Sequence, residues 1–222
     1  MHGTVADISI SAPTLHEPEA EPVLLPTMDG GPTGTPALVK RAIDLVVVVV
    51  LLLVVLPTML IAAVGVRLSS RGPILFRQER VGRGGRVFVM YKFRTYPVDH
   101  VDATVALPTE SCPLPFGRFL RRTSIDELPQ LFNILLGHMS LVGPRPERPR
   151  FAAELAAQIP GYVDRLRAPA GLTGLAQIRG LHGTSSLTDR IEADNEYIDR
   201  WSVWSDLRIL LATVPTVVRK AR

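Results

Sequence analysis

The chain has 222 residues, room for one domain with appendages. All 25 Lys and Arg fall in residues 40–222 against 16 of the 21 acids, so the body carries a net +9 while residues 1–39 hold acids only. A single cysteine (Cys112) excludes an internal disulfide framework, and five histidines without ligand spacing (2, 16, 100, 138 and 182) argue against a zinc site.

Such a basic body points to anionic partners: nucleic acid, phospholipid headgroups or phosphorylated metabolites. Dispersed arginines, an aromatic content of 6% and the long apolar segment described next argue against nucleic acid. Residues 1–36 are rich in Pro, Gly, Thr and Glu without hydrophobic periodicity and read as a disordered acidic tail; they lack the basic start of a signal peptide. Residues 45–66 then run without a charge, the heart of a membrane-inserted helix expected over 40–68. As a helix that run is about 33 Å long, enough to cross a hydrocarbon core. Basic residues flank it on both sides (Lys40 and Arg41; Arg67, Arg71, Arg77 and Arg80), so the charge rule picks no orientation. Pro57 lies mid-run, where it removes a backbone hydrogen bond. Two placements stay open: a kinked helix that enters and leaves by one face, and a single-pass anchor that tolerates its proline.

Residues 73–76 and 87–91 read as short strands around a glycine turn at 81–85, which lacks the third glycine of a dinucleotide loop because position 87 is Val. Residues 97–117 read as loop, 128–136 and 150–159 as helices, and 169–174 as a turn-rich loop. Helices are expected over 187–201 and 203–220. The sum is an α-rich α+β fold: a small domain with a few short strands, residues 69–222, carried on the membrane-inserted helix.

The stretch TSIDELPQLFNILLGHMSLVGPRP (123–146) holds the chemistry. Asp126 and Glu127 follow Arg121 and Arg122 and precede a Pro144-Arg145-Pro146 corner. Two acids beside fixed cations suit phosphate chemistry with a divalent metal, one acid attacking or taking a proton while the other holds the ion. A structural reading competes. Ser124-x-x-Glu127 fits a capping box, with Asp126 favourable in the first turn of a helix. The two readings are compatible, since a helix start with unpaired N–H groups also favours phosphate. Arg121 is the first candidate for a phosphate contact and Arg145 the second, its flanking prolines reducing the entropy of aiming it. Lys92 and Arg94 are candidates for headgroup or substrate phosphate on what otherwise reads as an exposed strand face. Thr173, Gln177 and Arg179 are candidates to read nucleotide or sugar. Trp201 and Trp204 suit a membrane interface and core packing equally.

Several motifs stand in order along the body. Lys40-Arg41-Ala42-Ile43-Asp44 leads into the apolar run; Gly72-Pro73-Ile74-Leu75-Phe76 follows with Gln78, Arg80 and Gly82, then Tyr91-Lys92-Phe93-Arg94-Thr95. Leu120-Arg121-Arg122-Thr123-Ser124-Ile125-Asp126-Glu127-Leu128-Pro129-Gln130, Asn133, Gly137 and Met139-Ser140-Leu141-Val142-Gly143-Pro144-Arg145-Pro146 come next. Gly171-Leu172-Thr173-Gly174-Leu175-Ala176-Gln177, Asp194, Tyr197, Ser205-Asp206-Leu207-Arg208-Ile209 and Thr213 close the series. From residue 40 onward the chain thereby resembles the bacterial sugar transferases, monotopic phosphoglycosyl transferases that start glycan assembly on a polyprenyl phosphate. It departs from them at Leu56, where the family has a serine before the proline, at Arg71 in place of Pro, and at Tyr96 where Met is common.

The resemblance implies a short-form member on the cytoplasmic face of the bacterial inner membrane, held by a re-entrant helix. It implies that Asp126 attacks the sugar-bearing phosphate of a UDP-sugar, that UMP leaves, and that undecaprenyl phosphate takes the sugar phosphate from the aspartyl intermediate. Glu127 is the implied Mg²⁺ ligand, an ion suited to one or two carboxylates plus substrate phosphates. Implied partners are the UDP-sugar, the polyprenyl phosphate, membrane lipids, downstream glycosyltransferases and a homodimer. A catalytically inactive, membrane-anchored scaffold of a glycan-assembly complex is the alternative; the intact Asp-Glu pair, the arginines and the proline corner argue against it.

Overall fold

The computed structural model describes residues 34–97, 113–181 and 186–221. Cys112, His2, His16, His100, His182 and nearly all of the acidic tail lie outside the described residues.

Helix α1, Gly34–Ser69, spans 36 residues, so residues 34–36, read as the end of the tail, form its first turn. It is the one helix among the described residues long and apolar enough to cross a membrane. Its apolar composition is divided between two faces. Val48 enters one hydrophobic cluster and Met59, Ala62 and Val66 enter a second, while Val46, Val50, Leu53, Leu60, Ile61 and Val64 point outward. Both ends are tied to the same domain by polar contacts. Near the start, Lys40 Nζ lies 2.6 Å from Asp206 Oδ2, and Asp44 Oδ1 accepts from Leu141 N at 3.1 Å. Beyond the far end, Arg94 donates to the carbonyls of Arg71 (2.6 Å) and Ser70 (2.9 Å).

Strands β1 (Leu75–Val81) and β2 (Val87–Phe93) form an antiparallel hairpin with Leu75 opposite Phe93 and Val81 opposite Val87. The expected glycine turn joins them, with Gly84 at φ 63° and Gly85 at φ 76°. The first strand runs five residues beyond its expected end because Arg77-Gln78-Glu79-Arg80 hides the apolar alternation. Its inward positions are polar: Arg80 NH2 donates to Gln78 Oε1 (2.6 Å) and NH1 to Pro146 O (3.0 Å).

Helix α2, Pro115–Thr123, starts inside the expected loop, with Pro115 placed at its first turn where a missing N–H costs nothing. Helix α3 is Gln130–Leu135 and α4 is Pro149–Gln158, close to expectation. The stretch 169–174 is not simply a loop. Ala170–Thr173 is strand β4, paired in parallel with β3 (Met139–Val142). Turn-forming glycines mask it, yet they are what the pairing needs: a Cβ on Gly171 would lie 2.2 Å from Gly143 N and one on Gly143 2.2 Å from Pro169 O. A parallel pair needs a long crossover, supplied here by residues 143–169 with α4 and the 3₁₀ helix Val163–Arg167. Helices α5 (Leu175–Ile178), α6 (Leu187–Asp199) and α7 (Val203–Ala221) complete the chain.

Asp206 also accepts from Tyr197 Oη (2.7 Å) and Trp201 Nε1 (3.2 Å), so the Lys40 pair is part of a buried network joining α1, α6 and α7. Trp201 is thus half-buried against the core, whereas Trp204 is 70% exposed. Removing one member of a buried pair strands the other charge. Lys40→Met is therefore expected to cost about 3 kcal/mol, read as a lowered thermal midpoint of the detergent-solubilised protein, with part of the loss recovered in Lys40→Met/Asp206→Asn.

Candidate active site

Helix α2 ends at Ser124, whose φ of 59° makes it the one non-glycine residue with positive φ among those described. Left-handed backbone at such a residue costs free energy and is concentrated at functional sites. The reversal it creates starts the 3₁₀ turn Ile125–Glu127, in which Asp126 is 8% exposed. Pro129 then leads into α3. The expected capping box does not form. Ser124 makes no side-chain cap bond, and the Glu127 carboxylate turns away from the backbone.

It turns to two cations. Lys92 Nζ lies 2.7 Å and Arg145 NH2 2.8 Å from Glu127 Oε1. Charge-assisted bonds of this kind are stronger than the single backbone bond a capping box offers. Burial alone would push the Glu127 carboxyl up, but Arg145 and then Lys92 outweigh it and hold the group far below the usual carboxylate range. Glu127 is therefore held in its carboxylate form by Arg145 and Lys92.

Each cation is placed by its own support. Asn133, fully buried on α3, accepts from Tyr91 N (3.0 Å) and donates to Val89 O (2.6 Å), fixing β2 so that Lys92 reaches over the dyad. Arg145 comes from the Pro144-Arg145-Pro146 corner between β3 and α4. Hence the structure brings together four of the candidate residues: Asp126, Glu127, Lys92 and Arg145.

The others make different contacts. Arg121 lies on the exposed side of α2, its guanidinium 5.2 Å from the Tyr96 ring centroid and donating to the Tyr96 hydroxyl. Arg94 is 3% exposed and serves the carbonyls beyond α1. Thr173 Oγ1 meets Thr213 Oγ1 at 2.7 Å, Gln177 Nε2 donates to Leu172 O at 3.3 Å, and Arg179 pairs with Glu196 at 2.6 Å. Thr173 is still near the site, since its carbonyl accepts from Gly143 N (2.9 Å) beside the proline corner.

An apolar groove of about 930 Å³ opens next to the dyad. Leu56, Met59, Leu60 and Ala63 of α1 form one wall; Phe76, Phe93, Pro129 and Phe132 line much of the other, and Arg77 and Arg94 also border the groove. Pro129, two residues after Glu127, lines the groove, as does Phe93 on the face of β2 opposite Lys92. Among the described residues no three His, Cys, Asp or Glu side chains cluster to form a metal cage. The donors present are the hard carboxylate oxygens of Asp126 and Glu127. They fit a magnesium ion that draws its remaining ligands from phosphate and water.

A family model described as bacterial sugar transferase matches residues 35–220. A UDP-glucose:undecaprenyl-phosphate glucose-1-phosphate transferase of Caulobacter vibrioides is 45% identical over 203 residues, 88% of this chain and 76% of that protein. A protein of the same name from Escherichia coli K12 is 41% identical over 206 residues, covering 90% of this chain but 44% of its own length. An exopolysaccharide production protein PSS of Rhizobium leguminosarum bv. phaseoli is 38% identical over 195 residues, covering 83% of this chain and 98% of that protein.

Removing one cation from Glu127 has a defined pH signature. A carboxyl with a depressed folded pKa contributes stability that is present above its unfolded value, about 4.3, and lost as pH falls toward the folded one. Lys92→Met is expected to lower the thermal midpoint clearly at pH 7. The gap from the wild type should narrow as pH falls below about 4, as measured by thermal unfolding across pH.

Proposed function

Because the chain belongs to the bacterial sugar transferase family, we propose that it transfers a sugar 1-phosphate, glucose 1-phosphate on the names of its relatives, from a UDP-sugar to undecaprenyl phosphate. The observation that carries this reading is the buried Asp126 beside a Glu127 neutralised by Lys92 and Arg145, at the edge of an apolar groove walled by α1.

Both carboxylates face the same cations, and Lys92 and Arg145 hold Glu127 as a fixed anion. Asp126, the more buried of the two and set in the turn that Ser124 starts, takes the role of nucleophile. Its carboxylate oxygen bonds to the phosphorus that carries the sugar, and the bond from that phosphorus to the bridging oxygen breaks, so UMP departs with the oxygen. A phosphate oxygen of undecaprenyl phosphate then attacks the same phosphorus and breaks its bond to Asp126, restoring the carboxylate. No net proton is needed in either step. Lys92 and Arg145 lie where they can stabilise phosphate oxygens as charge redistributes. Magnesium held by Glu127 would supply neutralisation of the phosphate oxygens that otherwise repel an attacking carboxylate.

The lipid substrate's chain suits the groove beside α1, and the placement of α1 suits a lipid that arrives from one leaflet. Its two ends bond to one domain, through Lys40 and Asp44 at one end and Arg94 at the other. Ends on opposite sides of a bilayer would pull those contacts apart. We therefore read α1 as monotopic, lying with its outward apolar face in the lipid and its inward face on the domain, on the cytoplasmic side where UDP-sugars are made. The product would feed exopolysaccharide assembly, with downstream glycosyltransferases as its consumers.

Detergent-solubilised protein given UDP-glucose, Mg²⁺ and undecaprenyl phosphate is expected to release UMP. Asp126→Asn should abolish release while the protein stays folded and membrane-bound, and EDTA should stop it until Mg²⁺ is restored. Wild-type-like turnover by Asp126→Asn rejects the nucleophile; no UMP across a panel of UDP-sugars favours the scaffold. In a Cys112→Ser background, Thr35→Cys and Ser69→Cys, both at exposed positions, should react with a membrane-impermeant maleimide in inverted vesicles and not in intact cells. Labelling from opposite sides rejects the monotopic placement.

A further inference from the structure

Four consecutive carbonyls of the proline corner are each held by a different part of the fold. Pro144 O accepts from Gly171 N (2.8 Å) and Glu147 O from Val81 N (2.9 Å). Between them, Arg145 O accepts from Arg165 NH2 (2.8 Å) and Pro146 O from Arg80 NH1 (3.0 Å). The outer two bonds are backbone bonds to the two sheets. The inner two come from arginine side chains, one on the carbonyl of Arg145, whose own side chain reaches Glu127, and one on the carbonyl that follows.

Arg165 is itself fixed. It is 3% exposed and its partner Asp194, on α6, 1% exposed. Arg165 Nε (3.0 Å) and NH2 (2.5 Å) both donate to Asp194 Oδ2, which sets the guanidinium plane, and the guanidinium carbon stands 5.4 Å from the Tyr162 ring centroid. A buried ion pair is a weak stability device, because desolvation offsets much of its attraction. What this pair supplies is direction: with one NH2 hydrogen on Asp194, the other falls on the Arg145 carbonyl.

That carbonyl matters because the prolines do not finish the job. Pro146 excludes the helical basin for Arg145, yet the basin left to a residue before proline is still about 40° wide in ψ. A swing of that size carries a long side chain out of hydrogen-bond range. Fixing the Arg145 carbonyl fixes ψ, and with it the line along which the guanidinium leaves the backbone.

We infer that Arg165, held by Asp194, is a positioning residue that aims Arg145 at Glu127 and the substrate phosphates, with Arg80 performing the same task one peptide later. This role rests on the phosphoryl transfer proposed above. Arg165 touches neither substrate nor the reacting atoms and acts only through Arg145.

A mutant cycle on the full-length protein tests it, with rates normalised to the folded fraction from thermal unfolding. Arg165→Lys keeps the charge for Asp194 but cannot fork to the carbonyl. It is expected to lower kcat about 10²-fold, the cost of a misplacement near 1 Å, while KM for UDP-glucose changes less than about 3-fold. Asp194→Asn should act in the same direction. The decisive arm is Arg145→Ala/Arg165→Lys, which should be no slower than Arg145→Ala alone within about twofold, because a residue acting through Arg145 has nothing left to place. Losses that multiply, or an Arg165→Lys enzyme with unchanged kcat, overturn the role. Should Arg165→Lys fail to fold, Arg80→Lys runs the same cycle through Pro146. An active wild type with multiplying losses rejects this inference alone; a wild type that releases no UMP rejects the transferase reading and this role with it.

Discussion

A carboxylate cannot be withdrawn from water without cations to meet it, and the arrangement of this domain follows from that constraint at Glu127. Lys92 and Arg145 arrive from opposite directions, one from a β-hairpin and one from a corner between β3 and α4. Neither is delivered by local sequence. Asn133 joins α3 to β2 at the first, and two strands and two arginines hold the corner at the second. The result is a fixed anion and two fixed cations with Asp126 alongside. An enzyme that handles phosphate needs such groups placed before the substrate arrives, since reorganising them during the reaction would cost the advantage they confer.

The same logic explains polar residues where apolar ones are expected. Gln78 and Arg80 occupy inward positions of β1, and Asn133 lies in the core. Each is engaged by backbone or side-chain partners near the site. Their burial trades packing for direction. Arg94 is the counterexample among the basic residues: its place in the strand after Lys92 suggests a phosphate contact, but its guanidinium secures the carbonyls that follow α1. The spacing of two residues puts Lys92 and Arg94 on one side of the chain in principle, yet the strand ends at Phe93 and that alternation ends with it.

How far the sequence was legible varies with the range of the interaction involved. The apolar run of α1, the glycine turn of the hairpin, and helices α4, α6 and α7 depend on neighbours in sequence and were read within a few residues. The dyad and the proline corner were visible because adjacent acids and a Pro-Arg-Pro unit are rare combinations. What sequence could not supply was pairing at a distance. Strand β4 looks like a turn because Gly171 and Gly174 are needed for close approach to Gly143, which only the fold reveals. Ser124-x-x-Glu127 reads as a cap because the two cations that outcompete the backbone lie 35 residues before Glu127 and 18 after it. Arg165 and Asp194 gave no signal as a pair, being separated by 29 residues on different elements.

The departure at Leu56 gains a physical sense from the groove. A serine before Pro57 would offer a hydroxyl to backbone groups freed by the proline, whose missing N–H leaves an upstream carbonyl without its helical donor. Here the helix runs through Pro57 without that hydroxyl, and Leu56 instead lines the apolar groove with Met59, Leu60 and Ala63. The exchange sets an unsatisfied backbone group against additional apolar surface. On the proposed reading that surface is where an isoprenoid chain would lie, so the side chain contributes on the face where the lipid substrate enters. The balance is favourable only if the groove is filled, because an exposed leucine in an empty groove gains nothing from burial. A position that looks like a weakened membrane break in the sequence is, in three dimensions, part of the wall of an apolar groove.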